Sequence, residues 1–313
     1  MPYYLGIDTS NYTTSASIYD SETGEMLMQK KLLPVKNGEC GLRQSDAVFH
    51  HVRQLPQVVA ELFDGFGGNI AAVGVSSRPR DIEGSYMPCF SVGLGTAEMI
   101  SKINRIPLFT FSHQSGHIAA ALYSAKVTEL INKCFLAFHV SGGTTEAVIV
   151  EPDEEHIFHT EIAAKTLDLN AGQLIDRVGV MLGFDFPCGK ELEKLAVTNT
   201  EKLNVKPTLK GADCCLSGVE NICRKAYESG RTKEYTAALC LKYAEKTIDK
   251  MCGVLLETYG SLPVVFAGGV MSNQIIKKNL TEKYHAYFAE PAYSADNASG
   301  TAFLCSIRHQ AEK

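Results

Sequence analysis

The chain has 313 residues, a net charge of −5, 45% hydrophobic and 21% charged residues, which is the composition of a soluble globular protein. No apolar run reaches the length of a membrane span, and the slightly acidic balance gives no whole-chain attraction for nucleic acid. The N-terminus lacks a basic, apolar leader, so a cytoplasmic location without membrane association is expected, and ten cysteines without a Cys-x-x-Cys point to reduced, mostly buried thiols.

In chain order, Tyr3 to Ser10 reads as a strand ending in Asp8, Thr9 and Ser10. Thr13 to Tyr19 and Glu25 to Leu33 follow as two further strands of a meander. A helical stripe runs from Val48 to Leu62, with Pro56 expected to kink or split it. Then come a strand at 70–76, a helix at 90–103 and a strand at 107–111. The pattern recurs: strands at 134–140, 144–150 and 156–163, helices at 171–182, 189–197 and 236–259, a strand at 263–267, a helix at 273–283, a strand at 286–289 and a closing helix at 297–308. Each half reads βββ-αβ-αβ, which predicts a duplicated α/β fold of two lobes with a central cleft. The expected boundaries are 1–112, closed by the helix at 297–310, and 113–296 with a helical insertion at about 187–233. That insertion carries a modest basic excess, which suits either a polyanion or a solvated helical face.

Several residues in this frame can carry chemistry. His113 and His117 are four apart at the start of a helix, so both imidazoles can aim at one point, although spacing alone also suits a structural pair. Asp296, just before the closing helix, reads either as a helix cap or as a third ligand brought back to the first lobe. Two imidazoles and a carboxylate leave positions open on one divalent metal, iron or zinc. Three corners, Asp8-Thr9-Ser10, Ser141-Gly142-Gly143-Thr144 and Gly268-Gly269 through Asn273, end strands with residues that let backbone approach a ligand. They suggest a nucleotide between the two lobes, with the first two corners at its phosphates and the third at its base or ribose. Asp176 lies on a helix that would enter the cleft wall, or pairs with a neighbouring cation.

The order of motifs His113-x-x-x-His117, Val140-Ser141-Gly142-Gly143, Gly172-x-x-x-Asp176, Asp185-Phe186-Pro187-x-Gly189, Leu216-Ser217-Gly218, Gly268-Gly269-Val270-x-x-Asn273 and Asp296-Asn297 resembles the tRNA threonylcarbamoyladenosine synthase family. Its members were long labelled O-sialoglycoprotein endopeptidases or glycoproteases. The resemblance implies an actin-like fold of the sugar-kinase type, related to ribonuclease H, with a metal held by His113, His117 and Asp296. It implies an acyl-adenylate, threonylcarbamoyl-AMP, against Val140, Ser141, Gly142, Gly143, Thr144, Asp176, Gly189 and Asn273. The implied reaction moves the threonylcarbamoyl group to the N6 amine of the adenosine beside the anticodon of tRNA, with a paralogous actin-like subunit and a small ATPase as accessory partners. Asp8 is the candidate for orienting water or accepting the amine proton.

The chain departs from the family pattern where a Cys-Asp-Glu becomes Asn11-Tyr12-Thr13, a Ser-Gly-Gly-His ends in Thr144, a Gly-Pro-Gly becomes Arg78-Pro79-Arg80, and a Pro-Gly-Gly becomes Pro187-Cys188-Gly189. Two guanidiniums in place of a glycine loop suggest a charged clamp for carboxylate or phosphate. Two alternatives follow: a carbamoyl or acyl transferase paralogue with a small-molecule acceptor, and a non-catalytic nucleotide-binding partner. No protease motif is present.

Overall fold

The computed structural model describes residues 2–10, 12–34, 42–294 and 297–313. Asn11, Cys40 and Asp296 of the sequence reading lie outside these residues. The chain divides into two compact units, one of residues 1–131, 152–159 and 292–313, the other of residues 132–151 and 160–291.

The first unit is built on strands β1 (Tyr3–Ser10), β2 (Thr13–Asp20), β3 (Met26–Leu32), β4 (Ile70–Arg78) and β5 (Leu108–Ser112) in the order β3-β2-β1-β4-β5. The meander β1-β2-β3 is antiparallel, whereas β4 and β5 join parallel to β1 through helical crossovers. Those crossovers are α1 (Gln44–Phe63) and α2 (Phe90–Asn104), and α3 (His113–Ser124) leaves β5 directly. Alternation along β1 and β4 sorts the two faces. Leu5, Ile7, Val73 and Val75 pack with Leu55, Val58, Leu62 and Ala97 of α1 and α2. Gly6 and Gly74, pointing the other way, meet the C-terminal helix α10 (Ser299–Ala311).

That second face is set by glycine. A Cβ on Gly6 would lie 2.5 Å from the Ala298 carbonyl oxygen, and one on Gly74 would lie 2.8 Å from the Thr301 carbonyl oxygen. One on Gly300 would lie 1.8 Å from the Gly116 carbonyl oxygen, so α10 also crosses α3 backbone to backbone. The helix of the histidines and the helix that follows Asp296 are therefore in direct contact.

The second unit repeats the scheme with β6 (Phe135–Val140), β7 (Thr145–Asp153), β8 (Ile157–Lys165), β11 (Val264–Ala267) and β12 (Tyr287–Phe288) in the order β12-β11-β6-β7-β8. Here β6 is antiparallel to β7 and parallel to β11, as β1 is to β2 and β4. Helices α4 (Ala171–Met181), α5 (Gly189–Val197), α6 (Ser217–Glu228) and α7 (Lys233–Tyr259) supply its core, with a two-residue hairpin of β9 (Leu209–Lys210) and β10 (Asp213–Cys214) between α5 and α6. Then α8 (Gln274–Tyr284) links β11 to β12, and one turn, α9 (Pro291–Ser294), follows β12. The same topology, present twice, is the duplicated actin-like arrangement.

Three features depart from the sequence reading. Helix α1 runs unbroken through Pro56, because Pro56 and Val52 are both on its exposed side, where water can take the carbonyl that the proline leaves unpaired. The first unit extends to residue 131 instead of ending at 112, because α3 packs on α10 and the β4–β5 layer. Helix α6 is a separate element within the expected insertion, with Val219, Cys223, Ala226 and Tyr227 at helical spacing packed on the core. The nine described cysteines are all free thiols, and no helix among the described residues is long and apolar enough to cross a membrane.

Candidate functional site

In the first unit the chemistry gathers at the start of α3. Ser112 caps the helix, its hydroxyl accepting the Ser115 amide at 3.0 Å, and this starts the helix at His113. One turn later His117 faces the same way, and the two Nε2 atoms are 2.9 Å apart. Behind His113, Asp8 at the end of β1 places Oδ2 2.8 Å from Nδ1, while its Oδ1 accepts the Ser10 amide at 2.9 Å. Burial alone would raise the Asp8 carboxyl, but the His113 charge and the hydrogen bonds from His113, Ser10 and Ser76 outweigh it and hold it below the usual carboxylate range. An ionised Asp8 only accepts, so Nδ1 of His113 carries a proton and donates it. In the neutral ring that leaves Nε2 unprotonated, an acceptor facing His117 Nε2.

This donor set fits a metal of the zinc or first-row class. Two ring nitrogens, each about 2.0–2.1 Å from one ion, would be roughly 3 Å from each other. A carboxylate behind a ligating imidazole is the usual second partner of such a histidine. Among the described residues no group of three or more His, Cys, Asp or Glu side chains is placed to hold an ion. The two histidines are brought together, and Asp296, the third expected ligand, is outside the described residues.

The loop after β4 differs from the clamp expected of Arg78-Pro79-Arg80. Arg78 is turned inward, with Nη2 2.5 Å from Asp81 Oδ1 and Nη1 3.0 Å from Ser77 Oγ. Its charge is thus already neutralised within the loop. The loop docks on α3: the Gln114 amide donates to the Pro79 carbonyl at 3.0 Å, and Ser112 and Ser115 donate to Asp81 Oδ2 at 2.6 and 2.7 Å.

In the second unit the two glycine corners lie at the carboxyl ends of neighbouring parallel strands. Val140 ends β6, and the Ser141 amide donates to the Thr144 carbonyl at 2.7 Å while Ser141 Oγ accepts the Thr144 amide at 3.1 Å, closing a tight turn. Gly142 and Gly143 are exposed with open space where a Cβ would be. Gly268 has φ +100°, and a Cβ there would lie 2.3 Å from the Val140 carbonyl oxygen, so the second corner is seated on the first. Helix α4 also abuts this turn, since a Cβ on Gly172 would lie 2.5 Å from the Gly142 nitrogen.

The remaining expected residues border these corners along α4, α5 and α8. Asn273 caps α8, its Oδ1 accepting the Ile275 and Ile276 amides at 3.1 Å, and the cap leaves its Nδ2 donor unused. Asp176 Oδ1 accepts the Cys188 amide at 2.8 Å, which fixes the residue before Gly189, the first of α5. Burial pushes the Asp176 carboxyl up, and the Cys188 hydrogen bond only partly opposes it. Among the described residues no cation pairs with it, so the ion-pair reading is not met there.

Three residues escaped the sequence reading. Asp81, in the loop after β4, carries no motif signal. Asp168 accepts the Leu216 and Ser217 amides at 2.7 and 3.3 Å and the Ser217 hydroxyl at 2.6 Å, so it caps α6. His51 is fully buried on α1. Gln54 Nε2 donates to the Leu32 carbonyl at 3.1 Å, which turns its Oε1 to Thr14 and uses the single Thr14 proton at 2.9 Å. The His51 Nδ1 proton must then be donated to Thr14 Oγ1 at 2.8 Å, leaving a bare, buried Nε2. The only advance signal was His51 on the apolar stripe of an amphipathic helix.

Comparison with known proteins fits this arrangement. A chain of Neorickettsia sennetsu named as a tRNA N6-adenosine threonylcarbamoyltransferase is 27% identical over 322 residues, covering 98% of this chain and 94% of its own. A probable bifunctional tRNA threonylcarbamoyladenosine biosynthesis protein of Thermoplasma acidophilum is 26% identical over 301 residues, covering 94% of this chain, which spans about half (54%) of that longer relative. Among solved structures, a ROK family glucokinase from Streptomyces griseus superimposes with a TM-score of 0.55 at 12% identity, covering 97% of this chain and 99% of that one, a likeness of fold alone. The sequence profile of one family, described as tRNA N6-adenosine threonylcarbamoyltransferase, matches residues 35–303. With most of its length inside that profile, the chain belongs to the tRNA N6-adenosine threonylcarbamoyltransferase family, a family of acyltransferases.

Proposed function

We propose that the chain transfers a threonylcarbamoyl group from threonylcarbamoyl-AMP to the N6 amine of the adenosine next to the anticodon in tRNA. The observation that carries this reading is the convergence of His113 and His117 through their Nε2 atoms, with Asp8 behind His113. His113 and His117 would hold one divalent metal, iron or zinc, with Asp296 as the third ligand. When bound, the metal supplies Lewis-acid polarisation of the donor carbonyl.

The chain's own residues do the rest. Asp8 keeps the His113 Nδ1 proton in place and so presents Nε2 outward; at 1% exposure it acts through His113, not on the amine directly. The Gly142 and Gly143 amides of the open turn suit the adenylate phosphate, and Val140 supports that turn through Gly268. Asn273 Nδ2 and Asp176 present a donor and an acceptor to the adenosine part, and Gly189 offers backbone without a side chain. Holding the acyl-adenylate still supplies the orientation that the transfer needs. The amine nitrogen bonds to the carbonyl carbon, the bond to the AMP phosphate oxygen breaks, AMP leaves, and the amine proton goes to solvent. A paralogous actin-like subunit and a small ATPase would assist.

The small-molecule alternative rested on the guanidiniums of Arg78 and Arg80, and Arg78 is paired with Asp81 within its own loop. The test is an assay of purified protein with threonylcarbamoyl-AMP and unmodified tRNA, with the accessory subunits added, for the wild type and a His113→Ala, His117→Ala double variant. Modified adenosine with the wild type alone is expected. Wild-type protein that binds the acyl-adenylate and leaves tRNA unmodified would overturn the proposal.

A further inference from the structure

The Arg78–Asp81 loop has a role on α3 that its sequence did not suggest. The first amides of a helix have no partner inside it. At α3 the Ser115 amide goes to Ser112 Oγ at 3.0 Å and the Gln114 amide to the Pro79 carbonyl at 3.0 Å. Ser112 and Ser115 each have one hydroxyl proton, and both hydroxyls reach Asp81 Oδ2, at 2.6 and 2.7 Å. The other oxygen, Oδ1, is held by Arg78 at 2.5 Å. The carboxylate thus ties β4, its loop, the helix cap and the first turn into one unit, at the helix end where negative charge is favoured. Burial alone would raise the Asp81 carboxyl, but the two serines and Arg78 outweigh it, so it stays ionised and accepts from all three.

We propose that Asp81 is a positioning residue for the His113–His117 pair, fixing the first turn of α3 and with it the separation and aim of the two ring nitrogens. His113 follows the cap residue directly, and Ser115 lies between the two histidines, so a shift of this turn moves one ring relative to the other. The inference rests on the reading of that pair as a metal site. It assigns to the Arg78-Pro79-Arg80-Asp81 segment the task of stiffening the ligand helix from outside.

The test is a titration of metal-free full-length protein with cobalt(II) chloride, read by the visible d–d absorption, beside a thermal melt of the metal-free form. The variants are Asp81→Ala, Asp81→Asn, Ser115→Ala and His113→Ala. A cavity of about 200 Å³ flanks Asp81 and Ser115, so water can fill the space left by truncation and the fold can persist. Asp81→Ala is expected to weaken cobalt binding about tenfold and to alter the absorption envelope. Asp81→Asn keeps an acceptor for the serines but loses the charge that holds Arg78, so it should fall between. Ser115→Ala, which leaves the loop intact, should weaken binding in the same direction and carries the comparison if Asp81→Ala does not fold. Wild-type affinity and spectrum in both Asp81→Ala and Ser115→Ala would overturn the proposal while leaving the metal reading standing. Unchanged cobalt binding in His113→Ala would instead overturn the metal reading, and this inference with it.

Discussion

Gly300→Ala is the sharpest probe of how the histidine helix is held. The new Cβ would lie 1.8 Å from the Gly116 carbonyl oxygen and 2.7 Å from the Ala120 nitrogen, against 3.4 Å where ordinary contact begins. Both atoms are helix backbone, so no side chain can rotate away. Helix α10 would have to retreat from α3 by roughly 1.5 Å, and its buried Ala302, Phe303, Leu304 and Cys305 would lose contact along with it. Overpacking of this kind costs about 1–3 kcal/mol where side chains can adjust, and here the upper end applies, about 3 kcal/mol. For a unit of this size that corresponds to a fall in melting temperature of about 6–12 °C. Gly95→Ala is the control: it lies inside α2 with nothing within 4 Å of the added Cβ, so it should stabilise by about 0.5–1 kcal/mol. Calorimetric melts of the three proteins, with zinc titrations at 25 °C, make the comparison. A Gly300→Ala protein melting within about 1 °C of wild type would refute the direct crossing of α3 and α10.

Two further predictions follow from buried groups. Burial pushes the His51 imidazole down from 6.5 to about 4, with the Asp8 charge partly opposing. Below pH 6.5 the unfolded chain takes up a proton that the folded one refuses, so stability should fall from pH 6.5 to about 4 and then level off, a loss of up to about 3 kcal/mol. Urea midpoints measured over that range should lose most of this slope in His51→Gln, and an unchanged slope would count against the neutral, buried assignment. In the second unit, a Cβ on Gly179 would lie 2.2 Å from Cys188 Cβ, so Gly179→Ala should destabilise by about 1–3 kcal/mol. Adding Cys188→Gly, which removes the side chain in the way, should restore most of the loss in urea unfolding; additive losses would show that the two positions do not compete for one space.

Much of the fold was legible because its signals are local. The β-branched runs, the Ser112 cap and the four-residue spacing of His113 and His117 need only neighbouring residues to be read. What was missed depends on contacts between distant parts of the chain. Asp8 meets His113 across 105 positions, and only the pairing of β1 with β4 and of β4 with β5 brings them together. Asp81 reads as an ordinary loop acid until β4 and β5 lie side by side and Ser112 and Ser115 come within reach. The clamp reading of Arg78 failed for the same reason, since its partner lies three residues away but is oriented by α3. Pro56 misled because its position on the solvent side of α1, which decides the outcome, is a property of packing.

The glycine-lined seat of α10 also bears on how the protein is made. Gly6 in β1 has its match at Ala298 and Ala302. About 290 residues must be synthesised between them, which takes roughly 15–60 s at ordinary ribosomal rates. Through that interval one side of the nascent N-terminal sheet lacks the helix shaped to cover it, and the α3 histidines lack the surface against which they are later set. Bracing of the first turns of α3 is thereby postponed until α10 has been made, and before that His113 and His117 stand on an unbraced helix.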